Sequence, residues 1–393
     1  MKLLSTALST FPLLILTIEG SHMFHQADEG QQTEPSVLQQ ADSLLDTVEQ
    51  TQPVLQSLLS SDDSCNLTGT YKKGTDISSC STIIVDSLTV PAGVTLDLSA
   101  AKKGAVIQFV GTTTFGTMKW DGPLVRVSGS DLKVKGSGVL DGRGKYYWEQ
   151  GQGITRPVFF KLQNVINSVV SDFTILNMPY RTFSLVTCKN TTLTGITIDS
   201  RAGDGLAKNT DGFDLTKNDH ITITNCTIYN QDDCLAMQSS TNTVFINNYC
   251  CGGHGISLGS IGGMMIDEST TVTGLLVQGN TIEKSENGIR IKAIIGLKGF
   301  VSDVNYVDNK VLNVENAVVI HSDYSKDRGR YSGAPTSLVT IKDIVISGLT
   351  GTATTLYDIV TNSKVVSDWD FSGLSVSASE KGTVSGLPSG ISL

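Results

Sequence analysis

The chain carries Asn209-Thr210-Asp211-Gly212-Phe213-Asp214, then Gln231-Asp232-Asp233-Cys234, and then Gly253-His254-Gly255. From Asp211 to Asp232 is 21 residues, and from Asp232 to His254 is 22. If each step is one coil of a parallel β-solenoid, Asp211, Asp232 and His254 stack on successive rungs about 4.8 Å apart, the spacing between paired strands. The spacing therefore predicts a solenoid that gathers three aspartates and an imidazole in one small area.

Carboxylates held so close together cannot all ionise freely. One pKa is expected to rise, so that its carboxyl keeps a proton while its neighbours stay charged. Cleavage of a glycosidic bond needs this combination, because one carboxylic acid protonates the leaving oxygen while a carboxylate activates water or attacks the sugar. Asp-Gly and Asp-Asp pairs are also common in turns, but three motifs at one period favour a catalytic site.

The rest of the chain has the rhythm of short strands. Apolar or alternating segments at 82–85, 88–90 and 94–98 are separated by Gly, Ser and Asp. Asparagines then follow apolar segments once per expected coil, and Asn tolerates the left-handed backbone of a tight corner: Asn164, Asn190, Asn218 and Asn242. A sheet of βαβ units is the alternative, but the connections lack room for helices.

Four motifs stand in order along the chain: Asn209-Thr-Asp-Gly-Phe-Asp214, Gln231-Asp-Asp-Cys234, Gly252-Gly-His-Gly-Ile-Ser-Leu-Gly-Ser260 and Arg290-Ile-Lys292. They resemble the signatures of the polygalacturonases, family 28 glycoside hydrolases of pectin, and most of all the fungal-type endopolygalacturonases. The resemblance runs from about Cys65 to the C-terminus. It implies an all-β protein, a single right-handed parallel β-helix, that hydrolyses α-1,4-galacturonosidic bonds within polygalacturonan and inverts the anomeric centre.

The resemblance also implies roles for the acidic residues. Asp232 would be the general acid, and Asp211 and Asp233 would hold and deprotonate the attacking water. His254 would lie beside the acid, although a single histidine is more often structural. Neighbours on a regular strand point to opposite sides, so Asp232 and Asp233 both reach a cleft only if the chain bends there. Rung spacing cannot choose between a retaining pair about 5 Å apart and an inverting set about 6.5–9.5 Å apart.

Arg290 and Lys292 are two residues apart in a segment that alternates with isoleucine, so both side chains leave the same face of a strand. Alone, such a pair indicates a solvated strand face. Beside an acidic cleft it suits the carboxylate of a galacturonate, which Arg can bind through two hydrogen bonds. The resemblance implies that Tyr324 contacts the sugar, and Asn209 of the first motif is a further predicted substrate contact. Neither a cofactor nor a metal is predicted.

The 393 residues of the chain could hold two domains, but the strand rhythm through most of it favours one large solenoid domain. The 39 glycines and 17% charged residues suit short strands and tight turns. A net charge of −9 is unfavourable for nucleic acid or an anionic membrane surface. The predicted partner is polygalacturonic acid or pectin, which must find a local basic patch. The resemblance implies plant inhibitor proteins as further partners, and a monomer is expected.

The first part of the chain breaks the strand rhythm. Residues 1–20 have a basic start and a short apolar core, which is typical of a secretory signal peptide. Within residues 21–64, apolar side chains between Ser36 and Ser60 recur at three- and four-residue steps, which predicts a short helix. This segment is a pro-segment or a cap on the open end of the solenoid. Residues 65–393 form the predicted catalytic domain of a secreted, extracellular protein.

Seven cysteines fit an oxidising compartment. The resemblance implies two disulfides, Cys65 with Cys80 and Cys234 with Cys250, and leaves three cysteines, of which Cys251 could compete with Cys250. Sequons permit glycosylation at Asn66, Asn190 and Asn225. Two other functions stay open: a sister hydrolase, namely an exopolygalacturonase or a rhamnogalacturonan hydrolase, and a catalytically silent pectin-binding relative. The complete carboxylate set disfavours the silent relative.

Overall fold

The computed structural model describes residues 63–393, which are built almost entirely of strands. These residues form 29 strands: β1 (Ser64–Thr70), β2 (Thr82–Val90), β3 (Leu96–Asp97), β4 (Val106–Val110), β5 (Thr112–Phe115), β6 (Val125–Ser130), β7 (Lys133–Gly136), β8 (Val139–Asp141), β9 (Phe160–Ile166), β10 (Val169–Ser171), β11 (Thr174–Leu176), β12 (Phe183–Val186), β13 (Lys189–Thr194), β14 (Thr197–Asp199), β15 (Phe213–Thr224), β16 (Thr227–Tyr229), β17 (Leu235–Ile246), β18 (Tyr249–Cys251), β19 (Ile256–Ile261), β20 (Thr271–Gln278), β21 (Thr281–Glu283), β22 (Asn287–Ile294), β23 (Lys298–Val307), β24 (Lys310–Ser325), β25 (Arg330–Tyr331), β26 (Leu338–Ser347), β27 (Thr350–Val360), β28 (Val366–Asp370) and β29 (Ser375–Ser385). One short α-helix, α1 (Lys145–Trp148), and a 3₁₀ turn (Arg201–Gly203) interrupt them.

The strands stack in parallel into three faces, so the chain is a parallel β-helix, as the sequence predicts. The cleft face, named for the site described below, contains β3, β6, β9, β12, the first half of β15 and β17, β19, β22, and the second half of β24, β27 and β29. Long strands such as β15 and β17 run from this face onto the next one. Apart from the β24–β25 pair, the named strands of residues 63–393 pair in parallel.

An inward row of aromatic rings fixes the register of the cleft face. Phe160, Phe183 and Phe213 are paired across β9, β12 and β15, and successive ring centroids lie 5.2 Å apart. All three are fully buried, and each such side chain contributes about 1.5–3 kcal/mol by leaving water. Because side chains alternate between the two sides of a strand, the residue after each ring faces outward.

Three of the four predicted corner asparagines have left-handed backbone, with φ of 54° at Asn164, 47° at Asn190 and 50° at Asn242. The prediction is wrong at Asn218, where the preceding Lys217 takes that conformation with φ 56°. Asn218 is instead buried, and its side chain accepts from the backbone N–H of Cys188 at 2.8 Å. The side-chain amide of Asn218 therefore satisfies a backbone N–H of the neighbouring coil. It does not form the corner of its own coil.

The predicted stack of Asp211, Asp232 and His254 is off by one residue. Phe213 pairs with Leu235 and Leu235 with Ile256, so the true steps are 22 and 21 residues. Two positions before these three paired residues stand Asp211, Asp233 and His254. Asp233, not Asp232, is therefore aligned with Asp211 and His254. The next coils are longer, because Ile256 pairs with Ile289 and Ile289 with Val318, at steps of 33 and 29. Loops of different length between the strands absorb these differences.

Both expected disulfides are present, Cys65–Cys80 in the first coils and Cys234–Cys250 behind the acidic turn. The other three cysteines are free thiols: Cys188, Cys226 and Cys251. No helix within residues 63–393 is long and apolar enough to cross a membrane. The predicted signal peptide and the predicted helix between Ser36 and Ser60 lie outside the described residues.

Candidate active site

The acidic turn between β16 and β17 bends so that two adjacent aspartates reach one cleft. Asn230 is buried, and its side-chain amide donates to the carbonyl oxygens of Thr210, Asp232 and Asp233 at 2.9–3.0 Å. These bonds hold the turn away from regular strand geometry. The bend that the sequence requires for Asp232 and Asp233 to share a cleft is therefore present, and Asn230 stabilises it.

A cavity of about 270 Å³ opens on the cleft face at this turn. It is lined by all eight residues predicted from the sequence to act on or bind substrate, namely Asn209, Asp211, Asp232, Asp233, His254, Arg290, Lys292 and Tyr324. Arg181, Gln238, Ser260, Glu286 and Gly329 also line it, and none of these was predicted. The coils thus bring together residues that span more than a hundred positions in the sequence.

Asp233 is the fixed anion of the cavity. Arg290 and Lys292 leave the same face of β22, as predicted, and both bind this buried carboxylate: Lys292 Nζ donates to Oδ2 at 2.7 Å, and Arg290 donates to Oδ1. Ser257 donates to the same Oδ1 at 2.7 Å. Burial opposes the charge of Asp233, but the two cations outweigh it and hold its pKa below the ordinary value. Asp233 therefore stays ionised and is a weak base.

Asp232 and His254 form a hydrogen-bonded pair next to Asp233. The Nδ1 of His254 lies 3.1 Å from Oδ1 of Asp232, and its Nε2 lies 3.3 Å from Glu286. Burial would raise the pKa of Asp232, but the hydrogen bond to His254 lowers it below the ordinary value. Burial would lower the pKa of His254, and the bond to Asp232 raises it instead. Asp232 and His254 therefore hold one shared proton, and in the free protein Asp232 is not the carboxyl whose pKa rises.

Asp211 and Asp214 are the carboxyls whose pKa does rise. Burial, and after it the charge of Asp232, raise the pKa of Asp211 well above its ordinary value. Burial raises the pKa of Asp214 to about 7, although Arg181 lies 3.2 Å away and opposes the shift. The predicted separation of pKa values among close carboxylates is present, but it falls on Asp211 and Asp214 because Asp232 and Asp233 each have a cationic partner.

Asn209 and Tyr324 flank the acidic pair. The amide nitrogen of Asn209 donates to Oδ2 of Asp232 at 3.3 Å, while its oxygen accepts from Arg156 at 2.8 Å. Tyr324 presents its ring to Lys292, whose Nζ lies 5.7 Å from the ring centroid. Asn209 thereby fixes the orientation of Asp232, and Tyr324 offers a half-buried aromatic surface at the edge of the cavity.

A metal would find a poor site here. One ligand atom each from Asp232, Asp233 and His254 lie within 4.8 Å of one another. Both oxygens of Asp233, however, are already bonded to Arg290 and Lys292, and two adjacent positive charges oppose a third. The arrangement is better suited to moving protons between carboxyl groups and a bound sugar.

The sequence motifs include some of the functional residues that were not predicted. Asp214 and Ser257 stand inside the first and third motifs, but their roles follow only from partners distant in the chain. Arg181 and Glu286 belong to no motif, and no pattern in the sequence marks them. The contact from Arg290 to Asp233 spans 57 residues, and it depends on how many residues each coil contains.

The sequence model of the family described as "Glycosyl hydrolases family 28" matches residues 80–392. The chain belongs to glycosyl hydrolases family 28. A polygalacturonase of Saccharomyces cerevisiae is 40% identical over 343 residues, which cover 84% of this chain and 93% of that protein. A probable endopolygalacturonase I of Aspergillus terreus is also 40% identical, over 84% of this chain and 91% of its own length.

Solved structures agree with the family 28 assignment. Endopolygalacturonase I from Stereum purpureum, complexed with two galacturonates, is 30% identical with a TM-score of 0.66, over 80% of this chain and 99% of its own. The endo-xylogalacturonan hydrolase from Aspergillus tubingensis is 26% identical with a TM-score of 0.70, over 83% of this chain and 96% of its own. The fold is therefore shared with enzymes whose names specify uronate polymers.

Proposed function

We propose that this protein is an endopolygalacturonase, which hydrolyses α-1,4-galacturonosidic bonds within polygalacturonan. The observation that carries the proposal is the cavity in which Asp211, Asp232 and Asp233 meet His254 beside the cation pair Arg290 and Lys292. Carboxyl groups of unequal pKa supply acid and base, and the cations suit a uronate. The relatives named endopolygalacturonase support the endo mode.

In the proposed mechanism, the proton shared by Asp232 and His254 goes to the glycosidic oxygen as the bond to the anomeric carbon breaks. A water molecule held by Asp211 and Asp233 attacks that carbon from the opposite side and inverts it. Asp211, in its ionised form, takes the proton of this water, because Arg290 and Lys292 make Asp233 a weak base. Asp233 supplies fixed charge and orientation.

Substrate binding rests on the groups around these carboxylates. Arg290 and Lys292 carry two positive charges against one on Asp233, which leaves attraction for a substrate carboxylate. Tyr324 lies against one side of the bound sugar, and Asn209 contacts the sugar while holding Asp232. Arg181 lines the same cavity, where it is paired with Asp214 at 3.2 Å.

Product analysis on polygalacturonic acid tests the proposal. Mixed oligomers in the first minutes, with a rapid fall in viscosity, are expected for an endo-acting enzyme. Galacturonate alone would make the protein an exopolygalacturonase, and cleavage only of a polymer with rhamnose or xylose would assign it to a sister hydrolase. If no polymer is cleaved, the protein is a binding relative. The Asp232→Asn variant is the control for background activity.

We further infer that the protein is secreted and acts outside the cell. A cell-wall polymer is an extracellular substrate, and two disulfides suit an oxidising compartment. The three sequon asparagines are exposed and accessible to glycosylation: Asn66, Asn190 and Asn225. Binding of plant inhibitor proteins and a monomeric state remain predictions, which pull-down with such inhibitors and light scattering would test.

A further inference from the structure

A short antiparallel turn borders the cleft beyond Tyr324. In residues 325–331, Ser-Lys-Asp-Arg-Gly-Arg-Tyr, the chain leaves β24, reverses and returns as β25. We call this segment the cationic hairpin. Its Gly329 lines the catalytic cavity. The left-handed backbone of Gly329, with φ 62°, makes the reversal, and no atom lies within 4 Å of a side chain added there. The tip therefore opens directly onto the cleft.

The base of the cationic hairpin is firmly attached. Tyr331 pairs with Tyr324 across the two strands, and Ser332 donates its N–H to the carbonyl oxygen of Asp323 at 2.9 Å. The ring of Tyr331 stacks on His321, with centroids 3.7 Å apart and an angle of 14°. His321 is itself buried between Asp323 at 2.7 Å and Asp358 at 3.1 Å. The hairpin is thus a fixed projection beside the cleft.

The charged side chains of the hairpin are exposed, and positive charges outnumber negative ones. Lys326, Arg328 and Arg330 stand against the single Asp327, so three positive charges minus one negative charge give +2. All four side chains are exposed, and none of the three cations takes part in an ion pair within the described part of the chain. This local excess stands in a protein whose net charge is −9. Such a projection repels cations and attracts an extended polyanion.

The cations inside the cavity, in contrast, already have acidic partners. Arg290 and Lys292 bind Asp233, and Arg181 faces Asp214. They can fix one sugar at the point of cleavage, but they offer little charge to the rest of a long chain. A polymer that carries a carboxylate on every sugar would gain from unpaired cations next to the cavity.

We propose that the cationic hairpin is a second uronate-binding element, which holds galacturonates that extend out of the catalytic cavity and selects stretches free of methyl ester. This inference rests on the proposed function and specifies the substrate further. Arg328 and Arg330 are the principal contacts, because guanidinium groups bind carboxylates through paired hydrogen bonds. Their contribution is to affinity for the polymer, since they lie outside the reacting groups.

The test is the double variant Arg328→Gln/Arg330→Gln on two substrates, polygalacturonate and highly methyl-esterified pectin. On polygalacturonate KM is expected to rise about threefold to tenfold with kcat unchanged, which is the loss typical of two exposed charge contacts. On esterified pectin KM is expected to stay unchanged. Salt is expected to raise the KM of the wild type more steeply than that of the variant.

Lys310→Gln/Lys381→Gln is the matched control. It removes the same charge from two exposed lysines that do not line the cavity, and its KM is expected to equal that of the wild type. Equal KM values for the hairpin variant and this control on polygalacturonate would overturn the inference. So would an equal rise on both substrates, because a charge contact cannot act on an uncharged ester.

A binding assay separates this inference from the proposed function. With both sets of substitutions placed in the Asp232→Asn background, affinity electrophoresis through polygalacturonate measures retardation without hydrolysis. Weaker retardation of the hairpin variant alone supports the inference even if the wild type cleaves nothing. Equal retardation of all three proteins refutes it even if the wild type is active.

Discussion

Replacing His254 by alanine is expected to move the alkaline limb of the pH–rate profile toward acid. In the free protein Asp232 and His254 hold one proton between them, and the pKa of His254 is raised above its ordinary 6.5. Loss of that proton above pH 6.5 removes the acid, so the wild-type rate falls there. In His254→Ala the proton is held by Asp232 alone, without the partner that lowers its pKa.

The size of the shift follows from the contact at 3.1 Å between Nδ1 of His254 and Oδ1 of Asp232. A hydrogen bond to a charged group is worth about 1.5–3 kcal/mol, and one pH unit corresponds to about 1.36 kcal/mol. The alkaline limb should therefore move by about 1–2 units toward acid. The maximal rate should fall as well, and most of the remaining activity should appear below pH 6.

The assay is the initial rate of reducing-end release from polygalacturonate between about pH 3 and 9, expressed as kcat and kcat/KM. His220→Ala is the control, since His220 is an exposed histidine that contacts Asp219 and does not line the cavity. Its profile should match that of the wild type. An alkaline limb that stays in place in His254→Ala, or that moves toward base, would refute the shared-proton assignment.

Three further changes test the remaining assignments. Asp232→Asn keeps the shape of the acid but cannot donate a proton, so kcat should fall by about 10²–10⁴-fold. The melting temperature should stay unchanged. A rate above about a tenth of the wild-type rate would remove Asp232 from the role of general acid. Lys292→Ala removes the ammonium group that lies 2.7 Å from Asp233. It should raise KM on polygalacturonate about tenfold or more and lower kcat. An unchanged KM would place the cation pair outside the binding site. Burial disfavours the charge of His321, but Asp358 and Asp323 outweigh it and raise its pKa above 6.5. The stabilisation that protonated His321 provides is therefore complete below pH 6.5. It is lost as the pH rises through the pKa of His321 in the folded protein. His321→Gln should therefore destabilise the protein by about 1–3 kcal/mol at pH 5 and less at pH 9, in denaturant titrations, and a loss independent of pH would contradict the charge of His321.

Much of the fold follows from local patterns. The alternation of apolar residues with Gly, Asn and Asp corners predicts short strands with tight turns, because these preferences act over a few residues. The same reasoning places Arg290 and Lys292 on one face of a strand, and their shared contact with Asp233 confirms it. It fails at Asn218, where a buried hydrogen bond from the Cys188 backbone decides the conformation of the side chain.

The sequence by itself determined the type of coil, the members of the acidic cluster and the need for a bend at Asp232. Only the tertiary structure decided which carboxyl pairs with which cation, and hence that Asp211 rather than Asp232 has the raised pKa. Those pairings join residues on different coils, and the coils between Phe213 and Val318 range from 21 to 33 residues because of their loops. A pKa depends on burial and on charges a few ångströms away, and such neighbours are set by the register of the coils.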